Sequence, residues 1–432
     1  MAGEVPVRRA HQSPAPWLPR LVTAALWLQL LLTATSFLLH IAPFARAQSH
    51  GFVAYYTAGR LLRQGADANR FYDDAWFGTE VARYTPQTSD IYNINPPLTA
   101  LLVLPLAGLD YETARLVWTV FNLLLLVTST AFLIRQSGTR HWLGLTLMAL
   151  LFLYRPLYQN FQFAQAYVLL LALLILAWWG YRTGREGVLG VALGLVLGLK
   201  TAGLFLWPLL LLQRRWRALL WGGLTVIALT LFSLPWLGVE AWLTYFRLLP
   251  TVNRQPGLAV IPFQTVTGFF RHLFSFNRQW NPTPLSEQPE LAAMLPVVAL
   301  LLLLAASSYL AFRHSDQPDA LFATFAVLSV ILSPVSLEYH YTLMWLPVVL
   351  AIMNAAEQRP GKLMALSLLA ALILLAAPLP YLDRRLEVGA RALLAYPRLY
   401  GGLLLWGVLL AQASRRPVPV ASPVPAGTAA EG

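Results

Sequence analysis

The chain has 432 residues, 57% hydrophobic and 12% charged, with a mean hydropathy of +0.58. A soluble domain carries about 25% charged residues, so a chain-wide water-exposed surface is excluded. The formal net charge of +12 is dispersed over short loops, which points to membrane topology and anionic headgroups and away from nucleic acid. The chain has no cysteine, which removes disulfides, thiolate nucleophiles and thiolate metal sites.

Apolar blocks recur along the chain, and a helix that crosses the hydrocarbon needs about 20 mainly apolar residues. The segments read as spans are 20–42, 111–134, 141–155, 166–182, 187–199, 202–213, 217–236, 291–312, 319–335, 341–355, 362–380 and 398–413. The fold expected is all-α and polytopic, a bundle of about 12 transmembrane helices with a range of 10–13. The first block is longer than a signal-peptide core and is read as a retained span. The pair flanking Lys200 is short and is expected to form two bent or re-entrant crossings. Seven basic clusters fall near alternate ends of the spans: Arg8/Arg9/Arg20, Arg135/Arg140, Arg182/Arg185, Arg214/Arg215/Arg217, Arg313, Arg359/Lys362 and Arg415/Arg416. Setting all seven in the cytoplasm follows the positive-inside tendency. Both termini are then cytoplasmic, in a multi-pass protein of the plasma membrane.

That topology sends two long aromatic loops, about 43–110 and 237–290, to the other side, where they are expected to carry short interfacial helices. Within the first, Pro96 to Leu109 is apolar but too short to span, and is expected to lie flat or dip into the membrane. The N-terminal segment 1–19 is cytoplasmic, 20–413 forms the membrane domain, and the Pro/Ala-rich tail 414–432 is expected to be disordered. No internal repeat of a transporter type is evident.

Charged and amide side chains in a bilayer are costly and mark cavities or partners. Lys200 interrupts "LGLVLGLKTAGLFLWPLLLL". It reads either as a lysine snorkelling to the interface or as an ammonium aimed at an anionic headgroup. Glu338 and His340 in "LSPVSLEYHYTLMWLP" read as polar loop residues or as a hydrogen-bonded acid/His pair facing a cavity. "YRPLYQNFQFAQAY" packs Arg155, Gln159, Asn160, Gln162 and Gln165 between two spans, where sugar hydroxyls or water are suitable partners. All three places share one side with the long loops. The expectation is one polar, partly basic chamber suited to a lipid phosphate. There is no Gly-rich phosphate loop for a soluble nucleotide.

The strip "GFVAYYTAGRLLRQGADANRFYD", followed by "NPPLTALLVLPLAGLDYETARLVW", resembles the start of glycosyltransferase family 87. Phe52, Tyr55, Tyr56, Ala58, Arg60, Gly65, Tyr72, Asp73, Pro96 and Pro97 carry the likeness. Further pieces follow in order: Gln165 in a Gly-Gln-like segment and Lys200 in a Lys-containing segment. After them come Gln264, Thr265, Gly268 and Arg271, then Ser333, Pro334, His340 and Tyr341. The resemblance covers about 50–350. It implies a GT-C fold and a polyprenyl-phosphate-sugar-dependent hexosyltransferase. Such an enzyme moves mannose or another hexose, with inversion, to a lipid-linked or cell-envelope glycan on the extracytoplasmic side.

It also implies roles. The family's acid before Phe is Gly51 here, and glycine takes no proton. His50 and Asp90 rank equally as replacement bases, with His340 a further catalytic candidate; Asp73 and Asp74 are others. Lys200, Arg271, His340 and Arg60 are the expected phosphate contacts. Tyr55, Tyr56, Gln165, Gln264 and Glu338 are the expected sugar or acceptor contacts. No acidic cluster has metal-ligand spacing, so no metal and no cofactor is expected. The partners expected are the donor, a lipid or glycan acceptor, and membrane lipid. Two other readings are a flippase for lipid-linked glycans and, because of Gly51, a catalytically inactive homologue.

Overall fold

The computed structural model describes residues 18–92, 95–252, 254–313, 316–358 and 360–415. Most of the expected N-terminal segment and nearly all of the expected tail lie outside those residues, as do Arg8, Arg9, Arg359 and Arg416. Seventeen α-helices make up the described chain. The first eight are α1 (Leu18–Ile41), α2 (Phe52–Arg63), α3 (Asp74–Tyr84), α4 (Thr99–Leu102), α5 (Tyr111–Gln136), α6 (His141–Leu151), α7 (Arg155–Phe163) and α8 (Tyr167–Thr183). Then come α9 (Glu186–Lys200), α10 (Leu206–Leu212), α11 (Trp216–Val252), α12 (Val266–Phe274), α13 (Pro289–Arg313), α14 (Pro318–Ile331), α15 (Trp345–Gln358), α16 (Lys362–Ala376) and α17 (Pro397–Ala413). No strand occurs among the described residues beyond a single bridge between Asn277 and Asn281.

Each expected span contains a helix. Four stretches are long and apolar enough to cross a membrane: Arg20–Phe44, Tyr111–Gln136, Trp216–Val252 and Pro289–Arg313. The rest are shorter and rely on the bundle around them. α1 and α13 carry exposed Leu, Val and Trp side chains along their lengths, as lipid-facing helices do. α14 and α15 are buried nearly throughout.

The chain around Lys200 makes the expected reversal. α9 ends where Thr201 and Gly203 take left-handed backbone angles (φ 50° and 68°). The chain then runs back through the seven-residue α10. It regains the level of α9's first turn, since Arg215 pairs with Glu186 at 3.1 Å and Tyr181 Oη donates to Gln213 Oε1 at 2.8 Å. Two other basic segments meet at this end. Arg182 meets Asp319 at 3.3 Å, and Trp179 Nε1 donates to Gln136 Oε1 beside Arg135.

α11 differs from expectation. The span read as 217–236 does not stop there: helix continues to Val252, broken at Gly238 (φ 69°, ψ 166°) three residues after Pro235. Proline removes a backbone donor and glycine accepts the positive φ, so the polypeptide bends and still resumes its helix. Part of what read as loop 237–290 is therefore helical.

α9 and α11 pack backbone against backbone. Gly190 and Gly194, four apart on α9, face the α11 backbone. A Cβ on Gly194 would sit 2.7 Å from the Gly222 carbonyl oxygen, and one on Gly190 would sit 2.8 Å from the Gly222 nitrogen. Small residues at this spacing let two backbones approach where lipid gives no hydrophobic drive between helices. This contact fixes the axis that carries Lys200. Gly194→Leu is expected to force the pair apart, at a cost of about 1–3 kcal/mol. Thermal unfolding in detergent should show a lowered midpoint. Gly223→Ala, facing open space, should leave it unchanged.

Candidate active site

The end of the bundle opposite the paired basic residues is built from loops and short helices. α2 starts at Gly51, whose backbone (φ 88°, ψ −72°) suits glycine alone. A Cβ there would collide with the Gln165 side-chain amide and lie 2.9 Å from the Phe163 carbonyl oxygen. Nothing larger than hydrogen fits. The Gly51 N–H instead donates to Asp90 Oδ2 at 2.6 Å, and the Ile91 N–H donates to Asp90 Oδ1 at 2.9 Å. The carboxylate of a residue 39 positions away in the sequence thus rests on the backbone where a family acid is expected.

Asp90 is half-buried, and burial raises its carboxyl above the usual carboxylate range. The two backbone donors and the charges of His50 and Lys200 oppose that rise. Its raised proton affinity makes the carboxylate a better proton acceptor than a free aspartate.

Lys200, at the end of α9, donates to Asn95 Oδ1. Its ammonium lies 5.0 Å from the Tyr55 ring centroid and 5.9 Å from that of Tyr167. The segment from Pro96 to Leu109 brings Asn95 there. On this segment Ala100, Val103 and Ala107 are fully buried. Thr99 Oγ1 donates to the Leu199 carbonyl at 2.9 Å, which pins the segment to the last turn of α9.

Tyr55 Oη donates to Gln165 Oε1 at 2.5 Å. Gln165 reaches it because α7 ends on Ala164 in a left-handed conformation (φ 39°, ψ 49°). A non-glycine residue there costs about 1–2 kcal/mol. The surroundings hold it: Trp118 Nε1 donates to the Ala164 carbonyl at 2.9 Å. Buried Arg115 donates to the carbonyls of Phe161 (3.0 Å), Gln162 (2.8 Å) and Phe44 (3.2 Å).

His340 completes the recess. Its ring stacks on Tyr339 (centroids 4.6 Å, 22° between planes) and lies 4.4 Å from Tyr167. The Leu337 N–H donates to His340 Nδ1 at 3.0 Å, so the neutral ring carries its proton on Nε2. That proton is available to an anion.

Asp90, Tyr55, Gln165, Lys200 and His340 therefore share one recess. His50 is exposed beside it. The other candidates stand elsewhere. Tyr56, 100° around α2 from Tyr55, donates to the Leu109 carbonyl at 2.8 Å among Tyr84 and Tyr111. Arg60 lies further along α2 and donates to the Ala107 carbonyl at 3.0 Å. Arg271 donates to the Gln255 carbonyl at 3.2 Å. Gln264 is wholly buried and spends its amide on Ile261, Ala395 and the Arg398 N–H, clamping α17 to the loop before α12.

The expected Glu338–His340 hydrogen bond does not form. Residues two apart on a 3-10 turn point to different sides. Glu338 Oε1 pairs with fully buried Arg398 at 2.5 Å, and Oε2 accepts from Tyr381 at 3.0 Å. Asn95, Tyr167, Tyr339 and Arg115 went unread as site residues. Arg115 alone carried a signal, a charge inside an apolar span. Among the described residues, no group of three His, Asp or Glu is placed to hold a metal.

A base for a hydroxyl proton, facing an ammonium and an imidazole N–H for an anion, provides for group transfer to an alcohol at a membrane. The model of glycosyltransferase family 87 matches residues 93–334, more than half the chain. The protein belongs to that family and is a membrane glycosyltransferase. It is similar to a polyprenol-phosphate-mannose-dependent alpha-(1-2)-phosphatidylinositol mannoside mannosyltransferase of Mycobacterium tuberculosis, 27% identical over 367 residues, covering 79% of this chain and 82% of that protein. A Mycolicibacterium smegmatis protein of the same description is 25% identical over 338 residues, covering 72% of each chain. The corresponding pentamannoside mannosyltransferase of Mycobacterium tuberculosis is 26% identical over 288 residues, covering 64% of this chain and 63% of that protein. No solved structure matches.

Arg115→Leu is expected to release the two carbonyls at the end of α7 and the Phe44 carbonyl tied to them, at about 3 kcal/mol, since hydrogen bonds to a charged donor are the strong ones. The check is loss of folded protein by size exclusion in detergent. Tyr55→Phe, which removes one hydroxyl, should fold normally.

Proposed function

We propose that the protein transfers mannose or another hexose from a polyprenyl-phosphate-linked donor to a lipid-linked glycan acceptor, inverting the anomeric centre, with Asp90 as base. The observation that carries this reading is the Asp90 carboxylate seated 2.6 Å from the Gly51 amide nitrogen, beside the cationic recess. The names of the similar mycobacterial proteins make polyprenol-phosphate-mannose the first donor to test and a phosphatidylinositol mannoside the first acceptor.

The acceptor hydroxyl attacks the anomeric carbon from the face opposite the phosphate. The new C–O bond forms as the bond to the phosphate oxygen breaks. Asp90 takes the hydroxyl proton, and polyprenyl phosphate leaves with the electron pair. The Lys200 ammonium and the His340 Nε2–H meet the charge gathering on the departing phosphate. Tyr55 and Gln165 hold sugar hydroxyls. The reaction needs no metal and no cofactor in this scheme. Arg60 and Arg271 contact protein carbonyls and are not needed for it.

The recess opens on the non-cytoplasmic side of the plasma membrane, with about 12 crossings and both termini cytoplasmic. The basic segments at Arg135, Arg182 and Arg215 at the opposite end of the bundle support that orientation. A flippase needs no proton acceptor at the recess and no base whose carboxyl is raised by burial. A catalytically inactive homologue would likewise have no use for one.

Purified protein in vesicles with radiolabelled polyprenyl-phosphate mannose tests the reading. Asp90→Asn is expected to lose about 10²–10⁴-fold in rate with the donor still bound. Lys200→Ala should weaken donor binding and rate together. Lipid movement without sugar transfer in the wild type would overturn the proposal. Because only ionised Asp90 takes a proton, kcat/KM should fall as pH drops through a pKa above about 4, the ordinary carboxylate value. The residual rate of Asp90→Asn should lack that acid limb.

A further inference from the structure

A second cavity, of about 410 Å³, lies between α7, the turn at Glu338–Met344 and the connection from α16 to α17. That volume falls in the range of small-molecule sites, about 300–1,000 Å³. Its walls carry Arg155, Gln159, Glu338, Tyr381, Asp383 and Arg398.

Arg155 and Gln159 sit one turn apart on one face of α7. Both are half-buried, and among the described residues neither side chain makes a hydrogen bond or ion pair; Arg155 only lies over the Tyr158 ring at 5.5 Å. Across the cavity, Glu338 holds buried Arg398, and the Asp383 carboxylate accepts from the Arg385 N–H at 2.8 Å. Two guanidiniums and two carboxylates cancel, so the cavity does not select an anion. An acyl chain would leave Arg155 and Gln159 dry and unpaired. A polyol donates and accepts at every hydroxyl, so it satisfies the Arg155 and Gln159 donors and the Asp383 carboxylate together, and exposed Pro378 and Pro380 offer apolar surface to a pyranose face.

The cavity shares two walls with the recess. α7 carries Arg155 at its first residue and leads to Gln165, and its nine residues span about 13 Å. The turn carries Glu338 on the cavity side and His340 on the recess side. We infer that this cavity is a carbohydrate subsite, holding the non-reacting sugar residues of the glycan acceptor while its hydroxyl end reaches Asp90. The inference rests on the transferase reading for its place in the reaction. The binding itself does not.

Saturation-transfer NMR on the full-length protein in detergent, with a soluble methyl mannobioside as probe, tests binding without turnover. The wild type should show saturable binding that inorganic phosphate does not compete away. Arg155→Ala and Gln159→Ala should each weaken it about tenfold, as loss of one charge-assisted or amide contact allows. In the transfer assay both variants should raise the acceptor KM, leaving the donor KM and the rate at saturating acceptor near wild type. Binding unchanged in both variants overturns the subsite, and so does displacement of the probe by phosphate. If no transfer is seen at all but the probe still binds through Arg155, the subsite stands and the transferase reading fails.

Discussion

An ammonium at the end of an apolar helix must be given a partner, and one end of this bundle is organised around meeting that demand. Lys200 is carried there by α9, whose glycines let it lie against α11. The loop from Pro96 is pinned to α9's last turn so that Asn95 arrives as acceptor, while Tyr55 and Tyr167 turn their electron-rich faces toward the charge. None of these neighbours is an acid in direct contact. The positive charge is tolerated without being neutralised by a salt bridge, so it remains able to draw in an anion.

The same economy is seen at the carboxylate. Asp90 is held by two backbone amides and not by an arginine, which keeps its proton affinity above that of an ion-paired acid. Glu338, which the sequence presented as a partner for His340, received the opposite treatment. Its contacts with Arg398 and Tyr381 make it a buried structural tie between the turn and α17. The two acids thus differ in the kind of donor each meets, backbone amides for Asp90 and a buried guanidinium and phenol for Glu338.

Much of this was legible beforehand because membrane burial penalises polar atoms. Lys200, Gln165 and His340 stood out as costly residues in apolar surroundings, and the recess collects all three. The reversal after Lys200 was legible from segment length alone. What escaped was contact-level. A sequence gives no sign that Tyr55 and Tyr56 diverge until the helix phase places one on Gln165 and the other on Leu109. Arg60 and Arg271 are phosphate contacts by the resemblance, and the structure shows each donating to one backbone carbonyl, a contact the sequence does not reveal. Asp90 was visible only as an equal alternative to His50, because the bond that singles it out runs between segments 39 residues apart.

The glycine at the head of α2 has an evolutionary consequence. Its backbone turn and the amide packed against it leave no volume for a carboxymethyl group, so restoring an acid there would take a repositioned Gln165 and a relaxed turn as well as a codon change. A carboxylate at this edge of the fold therefore has to reach in from the neighbouring loop, as that of Asp90 does.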